Sequence, residues 1–506
     1  ENLRSQRDWA GNVTTLSGDI GTAGTNSDNC YHVVLSISDA NTTVLDGFTV
    51  SDGNANGSGT MNNVGPDVNR SNGGGIHNKN TSLVMENCIV SANLAAAFGA
   101  GIYASNSPIA LTNSTVSGNT ASNLGGGVYN TGSAATFTGC TISGNTGSNN
   151  GGGMTNDYCS PTITDCDFLN NTTTNAGGGM LNFSASPIVT NCTFLNNSAV
   201  SSSGGGVSNY NSSCTPTFDR CIFSGNTANS SAGMSFSQGT IKNCLFSGNS
   251  ASGAAGALSF SGATMTITNC TFSGNSAASY SGGITFGNSG TSVTLTNCLI
   301  WNNRLDGVTG SAAANMVNNG SILAIDHSLI QNHNPSGTGN LNGIPNAADA
   351  NYPLFVTPLD PATAPSAAGD FHLSTCSPVL NLGTNTGAPT TDLFGNARPF
   401  GTTVDMGVHE LQSAPSVPDI TCPANQTGVA PYTLPDFTGL ASASGACTPI
   451  TITQSPTTGT SLAIGVHTIT LTATAGNGAT ATCTFTVTVN SNCPATGSVW
   501  YVDGSA

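Results

Sequence analysis

Apolar residues recur along this chain in a fixed relation to a small, mostly cysteine slot. The slot is filled by Cys88, Ser114, Cys140, Cys166, Cys192, Cys221, Cys244, Cys270 and Cys298. Three residues before it stand Met85, Leu111, Phe137, Ile163, Val189, Phe218, Ile241, Ile267 and Leu295. Two after it stand Val90, Val116, Ile142, Phe168, Phe194, Phe223, Phe246, Phe272 and Ile300. Five after it comes an asparagine every time, from Asn93 to Asn303. Successive slots lie 23 to 29 residues apart, most often 26. The slot and the position two beyond it share a strand face, whereas the position three before is out of phase, so a bend separates two strands. Asn87, Asn113, Asn191, Asn243, Asn269 and Asn297 occupy that bend, and asparagine tolerates the left-handed backbone it needs. Glycine triplets at 73–75, 125–127, 151–153, 177–179 and 204–206 open a further strand, since glycine permits the positive φ of a tight corner.

A coil of about 26 residues with such short strands cannot bury its apolar face alone. It must stack on copies of itself, with strands parallel and about 4.8 Å apart. The spacing therefore predicts an all-β fold, a parallel β-helix, with asparagines bonded to one another along its axis. Phe48 with Val50, and Ser328 with Ile330, extend the pattern to eleven slots, which stack to a length on the order of 50 Å. A loop near 57–70 interrupts it.

Beyond residue 412 the pattern changes. Ser413-Ala414-Pro415-Ser416-Val417-Pro418 reads as a linker. Thr468, Thr470 and Thr472 then alternate with Ile469, Leu471 and Ala473, and Cys483, Phe485, Val487 and Val489 share a face. Short alternating strands over about 75 residues suggest a small β-sandwich.

The run Asn191-Cys192-Thr193-Phe194-Leu195-Asn196-Asn197-Ser198-Ala199, with its glycine partner, resembles the repeats of chlamydial-type polymorphic outer-membrane proteins and of right-handed β-helix surface proteins of bacteria. Asp370-Phe371-His372-Leu373 through Ser377-Pro378-Val379-Leu380 resembles the closing coil of such proteins. Asp392-Leu393-Phe394-Gly395-Asn396-Ala397-Arg398 and Val404-Asp405-Met406-Gly407-Val408-His409-Glu410 resemble their terminal signature. Ile420-Thr421-Cys422-Pro423, Ile464-Gly465-Val466-His467-Thr468, Gly476-Asn477-Gly478 and Thr482-Cys483-Thr484-Phe485 resemble a hyalin-repeat domain, an immunoglobulin-like module. The run from Val499 to Val502 resembles the first strand of another β-helix. The expected organisation is therefore a right-handed β-helix over 1–412 with its opening coil missing, a linker over 413–418, a hyalin-repeat-like sandwich over 419–490, and the start of a following β-helix over 491–506. Tandem modules of this kind imply partners that are copies of the chain, or further modules of it, joined end to end.

Charge narrows the function further. Only 6% of residues are charged and the net charge is −16. Eight Lys and Arg in 506 residues form no basic face, which argues against nucleic-acid binding. No run of about 18 apolar residues exists to span a membrane. The seven histidines are scattered without metal spacing. The inward cysteines read as an unbonded column of small core residues. Cys422, Cys447, Cys483 and Cys493 are the disulfide candidates, with the pairing open. No catalytic or cofactor-binding residue stands out. Asp157, Asp165 and Asp167, with Asp219 two coils on and Arg220 as the nearest base, form the one acidic cluster of the regular repeat, a weak candidate for a Ca2+ site. The resulting expectation is a secreted, extracellular or cell-surface bacterial scaffold, adhesin or fibre segment that is not an enzyme and that meets surface glycans. The alternatives are a polysaccharide lyase or hydrolase, or a phage-type tailspike, which trimerisation would favour.

Overall fold

A computed structural model describes residues 8–9, 11–38, 42–61, 68–211, 213–236, 238–287, 291–344, 352–414, 416–445 and 447–492. The expected final strand at 499–502, and Cys493, lie outside the described residues. The chain divides into two compact units. One is Glu1–Leu373 with Val379–Gln412, and the other is Ser374–Pro378 with Ser413–Ala506.

The first unit is a β-solenoid. One coil runs through strands Ile76–Lys79, Leu83–Glu86, Ile89–Ser91 and Leu94–Ala95 before the next begins at Ile102–Ser105. Equivalent strands stack into four sheets, named first to fourth in that order. Among the described residues the third sheet has 12 strands and the others 11 each. Pairing is parallel except for Arg304–Leu305 against Val308–Thr309 at the end of the fourth sheet. The register follows the repeat: Val90 pairs with Val116, and Val116 with Ile142. Phe48–Ser51 joins this sheet as expected, and Thr14–Ser17 adds one coil before it. Most strands of the fourth sheet have two residues, too short to leave a periodic trace in the sequence.

The slot cysteines and the residues two beyond them are buried. Phe168, Phe194, Phe223, Phe246 and Phe272 stack face to face with centroids 4.6 to 4.9 Å apart, a distance set by the strand spacing. Asn87, Asn113, Asn191, Asn243, Asn269 and Asn297 take φ of 47 to 55° at the bend before the slot. Where the bend lacks asparagine, Gly139, Asp165, Arg220 and His327 adopt the same left-handed backbone. The glycine corners meet a second demand besides conformation. A Cβ on Gly152 would lie 2.5 Å from the Gly178 carbonyl of the next coil.

The regular coils end at Ile330. Helix Ala312–Asn315 takes the place of a glycine corner, and Asn315 ends the asparagine column by accepting from Asn303 Nδ2 at 3.0 Å. Here the structure departs from the expected closing coil. Phe355–Thr357 and Asp370–Leu373 pair with each other, antiparallel, and not with the stack. The segment from Tyr352 to Leu373 and from Val379 to Gln412 instead lies across the outer face of the third sheet as a strap. The reason lies in the first, outward residue of each third-sheet strand. It is Ile89, exposed, and then Thr115, Thr141, Asp167 and Thr193 in earlier coils, but Ile222, Leu245, Leu299 and Leu329 in later ones, with Thr271 between Leu245 and Leu299. That apolar column packs against Leu359, Phe371, Val379, Leu393, Met406 and Val408 of the strap, and leaving it in water would be unfavourable. The bend asparagines anchor the strap: Asn243, Asn269 and Asn297 donate to the carbonyls of Thr391, Asp405 and Thr384 at 2.9, 3.1 and 2.9 Å.

The second unit has a four-stranded sheet in the order Gln426–Val429, Thr480–Asn490, Gly465–Thr474, Thr451–Ser455. Its first strand, Pro418–Thr421, begins within the expected linker and pairs with Ser442–Gly445. Ile469, Leu471, Phe485, Val487 and Val489 form its core, as their alternation with threonine predicts. Two disulfides staple it, Cys422–Cys483 and Cys376–Cys447. Cys376 lay outside the four expected candidates because its segment, Ser374–Pro378, reads in sequence as part of the closing coil. In the fold that segment belongs to the second unit, where Thr375 O accepts from Asn477 Nδ2 at 3.1 Å.

Candidate functional site

The three aspartates singled out in the sequence go to different partners. Asp157 ends the first-sheet strand Met154–Asp157, where Tyr129 donates its hydroxyl to Oδ2 at 2.6 Å. Burial and this carboxylate push the Tyr129 phenol up, which keeps it a donor. Asp165 sits at the left-handed bend and accepts from Asn191 Nδ2 at 2.6 Å. Asp167 starts the third-sheet strand Asp167–Leu169 and is exposed. Among the described residues no three His, Cys, Asp or Glu side chains form a group that could hold a metal ion. Asp219 pairs with Lys242 at 3.5 Å. Arg220 lines a separate cleft of about 340 Å3 with Asn191, Thr193 and Phe394.

Asp157 stands in a larger cleft, of about 480 Å3, between the outer face of the first sheet and the corner that follows the fourth. Strand register builds its floor. Asp157, Phe183 and Tyr210 are direct cross-strand neighbours in three successive coils. The rings of Phe183 and Tyr210 stack with centroids 5.6 Å apart and planes within 16°, and Tyr158 meets Phe183 edge-on at 5.7 Å. Thr155, two residues before Asp157, also lines the cleft. It is 1% exposed, and its hydroxyl has no hydrogen-bond partner. The rim carries Asn123 and Asn149, the second donating to the first at 3.0 Å. The six-residue strand Ser198–Ser203 brings Ser202 and Ser203 to its far side.

Sequence reasoning reached Asp157 but not its aromatic neighbours. The signal was present: Asp157, Phe183 and Tyr210 each stand four residues past the last glycine of their triplets. That spacing marks one column of one sheet once the register is known.

The strap holds a second group of ionisable residues. Asp392, Arg398, Asp405, His409 and Glu410 are all buried. Arg398 Nη2 donates to Gly407 O at 2.7 Å, and its Nε lies 3.8 Å from Glu410 Oε2. Asp405 accepts from the backbone N–H of Asn381 and Leu411 at 2.7 and 2.8 Å. Asp392 accepts from Phe394, Asn396 and Glu410. Burial, and then the neighbouring Glu410, push the Asp405 carboxyl up to about 7. Burial pushes His409 down to about 4, so it stays neutral and its Nδ1 accepts from Leu373 N–H at 2.9 Å. Apart from the Arg398–Glu410 pair, these contacts fix strap backbone, and the network is a fastening of the strap. At the strap's edge His372 stacks on Phe394 at 4.0 Å and bonds Asp370 at 2.5 Å.

A family model described as the right handed beta helix region matches residues 74–238 and 229–343, together more than half of the chain. The chain belongs to the right-handed β-helix family. In this β-helix protein a model of the HYR domain also matches residues 415–489, the greater part of the second unit. No curated protein and no solved structure shows significant similarity to it. HYR domains are of extracellular type, which points to an extracellular or surface location. Among the described residues no helix is long and apolar enough to cross a membrane.

The slot cysteines of the β-helix are free thiols in its core. Each directs its sulfur at backbone, as Cys166 does toward Thr164 O at 3.1 Å. Cys159 and Cys214 are likewise free and buried, and burial pushes the Cys159 thiol up to about 12. These buried side chains fill space in the core.

Proposed function

We propose that this protein is a structural and adhesive segment of a secreted or cell-surface bacterial protein, built from β-helix and HYR modules, and that it performs no catalysis. The observation that carries this reading is the unbroken register of the third sheet from Thr14 to Ile330, in a chain that continues into a disulfide-stapled HYR domain. Each coil bonds its backbone to the coils on either side, so successive coils add length and stiffness without needing charge. Disulfides persist in oxidising surroundings. Copies of the chain, or further modules of it, joined end to end are the partners this architecture suits.

Three measurements test the reading. Intact host cells are treated with protease and probed for the chain. Attachment of a deletion strain is compared with that of its parent. The purified protein is screened for release of reducing ends from polysaccharides. Surface accessibility, reduced attachment and no glycan cleavage are expected. Protection inside intact cells, or release of reducing ends, would overturn it.

A further inference from the structure

We propose that the cleft around Arg220, at the edge of the strap, is a binding site for a small carboxylic acid with an apolar body, such as a medium-chain fatty acid. The site stands apart from the adhesive reading and does not depend on it. Arg220 is an exception in its column. The bend before the slot carries asparagine in six coils, and the two asparagines that flank Arg220 are committed to protein partners. Asn191 donates to Asp165 Oδ1 at 2.6 Å, and Asn243 to Thr391 O at 2.9 Å. Arg220 takes the same backbone at φ 53°, a conformation uncommon for arginine. Among the described residues no ion pair or hydrogen bond takes up its guanidinium, whereas Lys242 of the next coil is paired with Asp219.

Two clefts meet beside it. In the smaller, of about 340 Å3, Arg220 is the one charged side chain among the described residues that line it. The larger, of about 520 Å3, lies between strap residues 367–372 and Leu195, Ile222 and Leu245 of the third sheet. Thr193, Ile222 and Phe394 line both. The strap side is held in place: Asp392 accepts the backbone N–H groups of Phe394 and Asn396 at 2.9 and 2.8 Å, and the His372 ring backs that of Phe394 at 4.0 Å. A guanidinium can receive a carboxylate through two parallel N–H···O bonds, and an apolar body then covers Leu195 and Ile222 and takes them out of water. Asp370 sets the direction. It lines the larger cleft alone, where its carboxylate is bonded to His372, so it repels a second carboxylate from that end and leaves Arg220 as the anion's place.

The test titrates octanoate into the full chain by isothermal calorimetry, beside 1-octanol, octylamine and acetate. Octanoate is expected to bind, and each comparison to bind at least about tenfold more weakly, because it lacks the negative charge, reverses it or lacks the apolar body. Two variants restore the residue that other coils carry at the same place. Arg220→Asn supplies the common bend residue, which tolerates the left-handed backbone. Ile222→Thr copies Thr193, its partner one strand back. Arg220→Asn should match or exceed the parent's melting midpoint, weaken octanoate by about tenfold or more, the loss of one charge-assisted interaction, and leave 1-octanol unchanged. Ile222→Thr should weaken octanoate and 1-octanol alike. The proposal is overturned if octanoate does not bind at about 10 mM, if 1-octanol or octylamine binds as tightly, or if Arg220→Asn binds octanoate like the parent.

Discussion

The side-chain amide of Asn119 donates to Oδ1 of Asn145, the equivalent residue one coil on, at 3.0 Å. The same oxygen accepts the backbone N–H of Asn119, also at 3.0 Å. The amide reaches back as well, to Val90 O of the preceding coil at 2.9 Å. Each asparagine thus joins three coils and satisfies the backbone where the chain turns out of the third sheet. Hydrogen bonds of this column run unbroken from Asn93 to Asn315.

Removing one rung should cost more than one hydrogen bond. Asn171 accepts from Asn145 N and Nδ2 and donates to Ile142 O and Asn197 Oδ1, at 2.8 to 3.0 Å. Asn171→Ala strands several buried polar groups at once, at about 1–3 kcal/mol each. A large fall in the melting midpoint is expected in a thermal melt followed by circular dichroism. A fall no greater than that of an exposed Asn→Ala control would contradict the role of the column.

The phenylalanine stack makes a separate demand on volume and charge. Phe194 is fully buried between Phe168 and Phe223. Phe194→Ala should destabilise by about 3–5 kcal/mol. Phe194→Asp should leave the solenoid unfolded or aggregated, because it buries an unpaired charge. Urea titration of the first variant and solubility of the second provide the measurement.

The strap should respond to pH in two opposed ways. Asp405, raised to about 7, binds a proton in the folded state that the unfolded chain releases near its ordinary value of about 3.9. Its contribution is full at low pH and is lost as pH rises through about 7. His409, lowered to about 4, excludes a proton that the unfolded chain takes up near about 6.5. Its contribution is present above that value and is lost as pH falls toward about 4. Between pH 4 and 6.5 the two slopes oppose, each at most about 1.4 kcal/mol per pH unit. His409→Gln should therefore show stability falling as pH rises, and Asp405→Asn stability rising with pH. Denaturant melts across this window check both signs, and parallel profiles in the two variants would refute the assignment.

The cysteines should divide into two chemical classes. Non-reducing peptide mapping is expected to find Cys376 joined to Cys447 and Cys422 to Cys483. The solenoid thiols other than the half-buried Cys30 are buried and should resist alkylation until the chain is denatured. Replacing Cys422 and Cys483 by serine opens a loop of 61 residues and should cost the second unit about 4 kcal/mol. A map that joined slot cysteines to each other would contradict the unbonded column.

Much of the fold was legible because it is local and repeated. The period, the inward slots, the bend asparagines and the glycine corners each follow from strand alternation and from residues that tolerate left-handed backbone. Stacking then follows, because one coil cannot bury its own apolar face. The alternation of Ile469 and Leu471 with threonine marked the core of the second unit by the same logic.

Contacts between residues far apart in sequence had no such signature. Leu245, Leu299 and Leu329 look outward by the repeat's own rule, and only the tertiary structure supplies the strap that covers them. The pairing of Cys376 with Cys447 was hidden because Ser374–Pro378 belongs by contact, though not by sequence order, to the second unit. The cleft has the same origin. Asp157 could be named from its charge, but Phe183 and Tyr210 become its neighbours only through register, 26 and 53 residues along the chain. A repeating sequence determines which face of each strand is buried, because that depends on adjacent residues. What covers the outer faces, and which side chains meet there, depends on chain segments that local pattern does not connect.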